Sequence, residues 1–169
     1  MTARHLTAAI LVVGALSAPV GRASTGGDES AAAFDRLKSL VGEWKGDASS
    51  DGASLSYELV ANGTALVERE SGAGRPTMMT MYHRDGERLL LTHYCMAGNQ
   101  PRMQARYDRA KGEIAFDFVD ATNLTGPNAT HMHNVTIRFI DDNQIETVWQ
   151  LYQKGTATGA ERARYTRVH

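Results

Sequence analysis

The sequence is poor in cysteine and has no large excess of charge of either sign. Its 169 residues include one cysteine, Cys95, so the fold has to form without an intrachain disulfide. The formal net charge is −1 and the isoelectric point 6.6, which gives no electrostatic reason to expect nucleic acid or an anionic membrane as a partner. Zinc-finger-type Cys/His motifs, a Gly-x-Ser-x-Gly nucleophile elbow and internal repeats are also missing. The length suits a single domain.

The first residues have the layout of a secretory signal peptide. Arg4 and His5 precede an uncharged run over residues 6–18, and small or turn-forming residues follow up to Ala23. The run is too short to span a bilayer comfortably. We therefore expect residues 1–23 to be a signal peptide cleaved near Ala23, a secreted or periplasmic location, and no membrane span after cleavage.

A flexible leader and a short helix are predicted next. Residues 24–33 are small and polar and are expected to form the leader. Apolar residues then recur at helical spacing from Phe34 to Val41, and Gly42 ends the pattern. We assign residues 34–169 to one domain that begins with this helix.

The rest of the chain has the pattern of short strands. Turn signals such as Asn62-Gly63 and Lys154-Gly155 recur roughly every ten residues. Most connections are too short for a crossover helix, so neighbouring strands should be antiparallel, and closing them into an up-and-down β-barrel removes the exposed edges. The pattern predicts an all-β barrel of about ten strands, at residues 43–49, 53–60, 64–71, 77–83, 87–96, 101–107, 112–119, 130–140, 143–152 and 157–167.

Two segments rich in coordinating side chains stand out: Leu91-Thr92-His93-Tyr94-Cys95-Met96 and Thr130-His131-Met132-His133. Alternation puts His131 and His133 in phase with the apolar face of their strand, and it puts His93 and Cys95 in phase with the apolar face of theirs. Because each strand of a meander reverses direction, both segments should lie at one rim, beneath the long 120–128 connection. The same parity brings side chains of two further strands to that rim, namely Glu68, Glu70, Trp149 and Tyr152.

Several chemistries suit such a rim. Three imidazoles, His93, His131 and His133, could bind a transition metal with an open position. A histidine with Glu68 or Glu70 could act as a general acid and base without a metal. Histidines in an apolar strand phase also serve simply as hydrogen-bonded core residues.

The sequence also resembles a known class of barrels. The stretch Leu40-Val41-Gly42-Glu43-Trp44-Lys45-Gly46 resembles the Gly-x-Trp opening of lipocalin-like and nitrobindin-like barrels, whose tryptophan closes the base. Residues 79–83 and 90–103 look like a recurrent signature of exported bacterial calycin-like proteins of unknown function. The resemblance implies a carrier of a hydrophobic ligand, or a haem protein in the nitrobindin branch. We expect no haem, because that branch uses a histidine in its C-terminal strands and only His169 follows His133.

The sequence therefore predicts an exported barrel that binds a small apolar or amphipathic molecule at a histidine-lined mouth. Two alternatives stay open: an enzyme of the same fold, with or without a metal, and a structural protein of the cell envelope. The residues expected to contact the ligand are His93, Tyr94, Cys95, His131, His133 and Trp149.

Overall fold

Ten antiparallel strands form a closed barrel in the computed structural model, which describes residues 26–72 and 74–169. Each strand pairs with its neighbours in sequence, and the first strand closes the barrel by pairing with both the second and the last. The prediction of an all-β up-and-down barrel with about ten strands and a short N-terminal helix is confirmed. The strands are β1 (Gly42–Gly46), β2 (Ser54–Val60), β3 (Ala65–Gly72), β4 (Arg75–Asp85), β5 (Arg88–Tyr94), β6 (Gln100–Asp108), β7 (Glu113–Thr122), β8 (His131–Phe139), β9 (Gln144–Gln153) and β10 (Thr156–Arg167).

Local turn chemistry accounts for the strand boundaries. At the β9–β10 connection Lys154 and Gly155 have φ values of 54° and 77°, and at the β2–β3 connection Asn62 and Gly63 have φ values of 56° and 80°. Glycine and asparagine adopt this left-handed conformation more readily than other residues, which is why such dipeptides mark tight turns.

The N-terminal helix, α1 (Gly26–Lys38), starts earlier than predicted and ends sooner. It includes residues 26–33, which we had expected to form a flexible leader. The three alanines at 31–33 favour helix, and Ser30 and Ala33 are buried against the barrel. That burial offsets the entropy cost of ordering the segment. The predicted signal peptide, residues 1–23, lies outside the described residues.

The helix covers one end of the barrel, which we call the base. The base contains the turns after β2, β4, β6 and β8, and α1 contacts β4, β5 and β6 there. Phe34 and Leu37 of the helix are buried, and the indole N–H of buried Trp44 donates to the carbonyl of Leu40 at 2.7 Å. In the described part of the chain, no helix is both long enough and apolar enough to cross a membrane.

The opposite end, which we call the mouth, is bordered by the connections after β1, β3, β5, β7 and β9. Two of these connections are tied together, since the side-chain amide of Asn99 donates to the carbonyl of Thr130 at 2.8 Å. From base to mouth the residues of alternating strand positions change in character: Ile145, Thr147 and Trp149 follow one another along β9, and along β3 buried Leu66 and Glu68 are followed by partly buried Glu70. The interior is therefore apolar near the base and polar nearer the mouth.

Candidate functional site

A buried carboxyl group lies in the polar part of the interior. Glu68 is 5% exposed, and its Oε2 accepts a hydrogen bond of 2.7 Å from the hydroxyl of Tyr82, which is fully buried. Burial raises the pKa of Glu68 to about 7, although the nearby hydroxyls of Tyr82, Tyr57 and Thr80 oppose this shift. Near neutral pH this carboxyl therefore exchanges between its neutral and charged forms.

The Tyr57 hydroxyl is the unsatisfied member of this cluster. It is buried and makes no hydrogen bond of normal geometry with any described residue, although Glu68, Tyr82 and Tyr165 are its electrostatic neighbours. Burial, reinforced by Glu68, raises the pKa of Tyr57 and of Tyr82 well above the ordinary tyrosine value, so both keep their protons. A buried hydroxyl without a well-formed hydrogen bond is rare, and here the carboxyl of Glu68 is its partial partner.

A cavity of about 390 Å³ lies at the mouth end. Its aromatic lining comes from Trp149 and Tyr165, and its charged lining includes Glu70 and Arg75. Small-molecule sites are typically roughly 300–1,000 Å³ and combine apolar surface with a few polar groups, and this cavity has both properties. A larger groove of about 710 Å³ lies outside the barrel, beside the outer face of β6 and β7.

Glu70 is a partly buried charged residue of this cavity. Its side chain is 18% exposed, and Oε1 is 3.9 Å from Nη2 of Arg75, which is a loose ion pair. Burial raises the pKa of Glu70, Arg75 lowers it, and the neighbouring carboxylate of Glu161 raises it further. The cavity thus presents an incompletely neutralised carboxylate beside two aromatic rings.

His93 is the predicted site residue that lies next to this cavity. It is 3% exposed, its Nδ1 is hydrogen-bonded to the hydroxyl of Thr80 at 2.9 Å, and its ring centroid is 4.6 Å from that of Trp149. Burial lowers the pKa of His93 to about 4, so the imidazole is neutral at physiological pH. It supports the Trp149 ring from within the barrel wall.

His131 and His133 form a separate group with two aromatic residues, which we call the histidine stack. His133 lies between Phe118 and Tyr152, with ring centroids 4.5 and 3.7 Å away and both rings nearly parallel to it. His131 Nδ1 is 2.8 Å from the carbonyl of Ala129, which can only accept, so this nitrogen carries a proton. A neutral His131 then accepts at Nε2 from Nδ1 of His133, 3.0 Å away.

A β-bulge interrupts the alternation that was expected for this strand. The pairing of β8 with β9 shifts between Met132 and Asn134, so that Met132 lies opposite Leu151 and joins the hydrophobic core. His131 lies opposite Tyr152 instead. Because β8 contains one extra residue here, the strict alternation that starts at Val135 no longer assigns His133 and His131 to the same face of the strand as Val135.

The other two predicted ligand contacts differ in accessibility. Tyr94 is 49% exposed. Cys95 packs partly against the core, and its sulfur accepts a weak hydrogen bond of 3.5 Å from the amide of Ala97. Burial raises the pKa of the Cys95 thiol, with further increases from Glu161 and Glu70.

The structure does not assemble a metal centre from the predicted imidazoles. Among residues 26–72 and 74–169, no three His, Cys, Asp or Glu side chains are placed to share an ion. His93 contacts Trp149 and Thr80, whereas His131 and His133 contact each other within the stack.

Several residues of the site could not be found by strand alternation alone. Alternation and parity point to Glu68 and Glu70, but the partners Tyr57, Tyr82 and Tyr165 come from three other strands. Their only sequence signal is a polar aromatic residue on an otherwise apolar strand face.

Comparisons with known proteins identify the fold only. No protein-family model matches the chain, and no curated protein matches it significantly. It is similar to the crystal structure of a protein of unknown function of the DUF3598 family from Nostoc punctiforme PCC 73102, with 17% identity over 78% of this chain and a TM-score of 0.55. The chain spans about half of that protein, 48% of its length.

A second similar structure is that of Rv2717c from M. tuberculosis. The two chains are 15% identical, and the match covers 81% of this chain and 98% of Rv2717c with a TM-score of 0.55. At these identities both likenesses show the barrel fold alone.

Proposed function

We propose that this protein is an exported β-barrel that binds a small amphipathic molecule in the mouth cavity. The observation that carries the proposal is the cavity itself, about 390 Å³ in volume and lined by Trp149, Tyr165, Glu70 and Arg75. The aromatic rings offer apolar contact area, and the charged pair offers a partner for a polar group of the ligand.

The construction of the barrel supports the same function. Trp44, Leu37 and the other buried residues near α1 pack the base, whereas the polar interior begins at Glu68 and leads towards the mouth. Trp149 is already held by the neighbouring His93 ring, so little conformational freedom is lost when a ligand packs against it. A ligand would therefore meet a largely preformed surface.

Export rests on the pattern of residues 1–23. Expression in a bacterium with a periplasm, followed by intact-mass measurement of the periplasmic protein, should give a chain shortened near Ala23. A full-length chain in the cytoplasm would contradict this part of the proposal.

Ligand binding can be tested with fluorescent probes that share a dansyl group and differ in the charge of an alkyl tail. We expect at least one probe to bind saturably, with energy transfer from tryptophan to the dansyl group. Trp149→Ala should weaken that binding about five- to tenfold, the usual effect of losing one aromatic contact.

Tyr152→Ala is the matched control, because it removes an aromatic ring from the histidine stack and leaves the mouth cavity intact. We expect it to leave the affinity unchanged. If no probe binds, or if Tyr152→Ala weakens binding while Trp149→Ala does not, the proposed site is wrong.

A further inference from the structure

The lining of the mouth cavity is more acidic than basic. Its carboxylates are Asp51, Glu70 and Glu161, and its guanidinium groups are Arg75 and Arg162. Arg162 is already engaged, since its Nη1 pairs with the buried carboxylate of Glu146, which also receives Arg138 and Arg164. Because the one carboxylate of Glu146 is shared by three arginines, Arg162 is only partly neutralised, and the described lining holds three carboxylates against Arg75 and this partly neutralised Arg162.

The excess of negative charge acts on several groups around the cavity. Besides burial, Glu70 and Glu68 raise the pKa of Tyr165 while Arg75 lowers it, and Glu161 and Glu70 raise the pKa of Cys95 while the amide of Ala97 lowers it. These residues lie on β10 and directly after β5, so the negative potential extends across the mouth rather than around one carboxylate. Such a potential attracts a cation and concentrates it at the site.

A buried tyrosine hydroxyl adds to the polar character of this region. Tyr57 is 3% exposed, and its hydroxyl makes no hydrogen bond of normal geometry but interacts with the carboxyl of Glu68, which lies opposite it on β3. Tyr165 lines the cavity. Tyr57 does not line the cavity itself, but it belongs with Glu68 to a polar cluster that reaches the cavity through Tyr165.

We propose that the mouth cavity selects an amphipathic organic cation, an alkylammonium, whose nitrogen lies between Glu70 and the aromatic faces of Trp149 and Tyr165. This inference rests on the proposed function and adds the charge of the ligand to it. An ammonium group supplies N–H donors for a carboxylate, and its charge is attracted to the faces of indole and phenol rings. The alkyl part of the molecule covers the remaining apolar surface of Trp149.

The test uses three probes with the same dansyl group and closely similar tails: monodansylcadaverine, its N-acetyl derivative and dansyl-aminohexanoate. They present an ammonium, a neutral amide and a carboxylate. We expect the ammonium probe to bind about tenfold more tightly than the neutral one, and the carboxylate probe most weakly, from the strength of charge-assisted and cation–π contacts.

Glu70→Gln should reduce the preference for the ammonium probe to within about twofold, because the amide keeps the shape and removes the charge. Glu161→Gln should reduce the preference in the same direction by a smaller factor. Glu58→Gln makes the same change in charge on the exposed outer face, where Glu58 pairs with Arg69 at 3.1 Å, and it should leave the preference unchanged.

The outcomes separate the two proposals. If the N-acetyl or carboxylate probe binds as tightly as the ammonium probe, or if Glu70→Gln and Glu161→Gln both keep the full preference in folded protein, the cation inference is wrong while ligand binding stands. If none of the three probes binds, the proposed function itself fails.

Discussion

Glu68 and His93 are both buried in the polar part of the interior, and their burial makes stability depend on pH in opposite directions. The pKa of Glu68 is raised from 4.5 to about 7, and that of His93 is lowered from 6.5 to about 4. Both shifts favour the neutral form in the folded state. Because the unfolded chain has the ordinary values, each group makes the free energy of unfolding depend on pH.

For Glu68, the native state keeps the proton at pH values where the unfolded chain has already released it. The free energy of unfolding therefore falls as the pH rises from 4.5 towards 7. Each pKa unit corresponds to about 1.4 kcal/mol. This carboxyl therefore makes the free energy of unfolding about 3 kcal/mol lower above pH 7 than below pH 4.5.

For His93, the unfolded chain binds a proton at pH values where the buried imidazole of the native state stays neutral. The free energy of unfolding therefore rises as the pH increases from about 4 to 6.5, also by about 3 kcal/mol. Over the shared interval the two contributions nearly cancel. We predict that these two groups together leave the wild-type stability almost independent of pH there.

Glu68→Gln should reveal the pH dependence of stability that comes from His93. The amide can still accept the hydrogen bond from the Tyr82 hydroxyl, but it does not titrate. The stability of this variant should rise by about 3 kcal/mol between about pH 4 and 6.5, through His93 alone. Urea unfolding followed by circular dichroism at a series of pH values measures this for the variant and the wild type. Titrating groups remote from Glu68 contribute nearly equally to both and largely cancel in the difference.

Glu58→Gln, the same substitution at an exposed position, should give a curve parallel to that of the wild type. The reasoning is refuted if the Glu68→Gln curve is also parallel to the wild-type curve between about pH 4.5 and 7, since Glu68 would then titrate alike in the folded and unfolded states.

Three further predictions concern other parts of the barrel. Glu146→Ala should lower the free energy of unfolding in urea by about 2 kcal/mol, because three arginines lose the buried carboxylate between them; unchanged stability would contradict this. Gly46→Ala should lower the melting temperature, corresponding to about 1–3 kcal/mol, since its Cβ would lie 2.5 Å from the carbonyl oxygen of Ala53; calorimetry with an unchanged transition would show that the turn adapts. Alkylation of Cys95 by iodoacetamide at neutral pH should be slower than that of a free thiol, because its raised pKa leaves little thiolate; a rate equal to that of glutathione would exclude this.

The strands and their order were predictable because they depend on local features. Turn dipeptides such as Asn62-Gly63 have backbone preferences that act within a few residues, and side-chain alternation marks the segments between them. Short connections then impose antiparallel neighbours, and closure follows from the need to pair the edge strands. The early start of α1 was missed because the burial of Ser30 and Ala33 depends on the barrel beneath them.

The sequence by itself therefore determined the barrel and the approach of Glu68, Glu70 and Trp149 to the mouth. Only the tertiary structure decided which side chains meet. The bulge at His133 depends on pairing with β9, and it moves Met132 into the core and the histidines into their own stack. Likewise, the raised pKa of Glu68 depends on its burial in the closed barrel and on the register of β2, β3 and β4, which places Glu68 opposite Tyr57 and Thr80. Burial and register are properties of the assembled sheet, so no single segment of the sequence shows them.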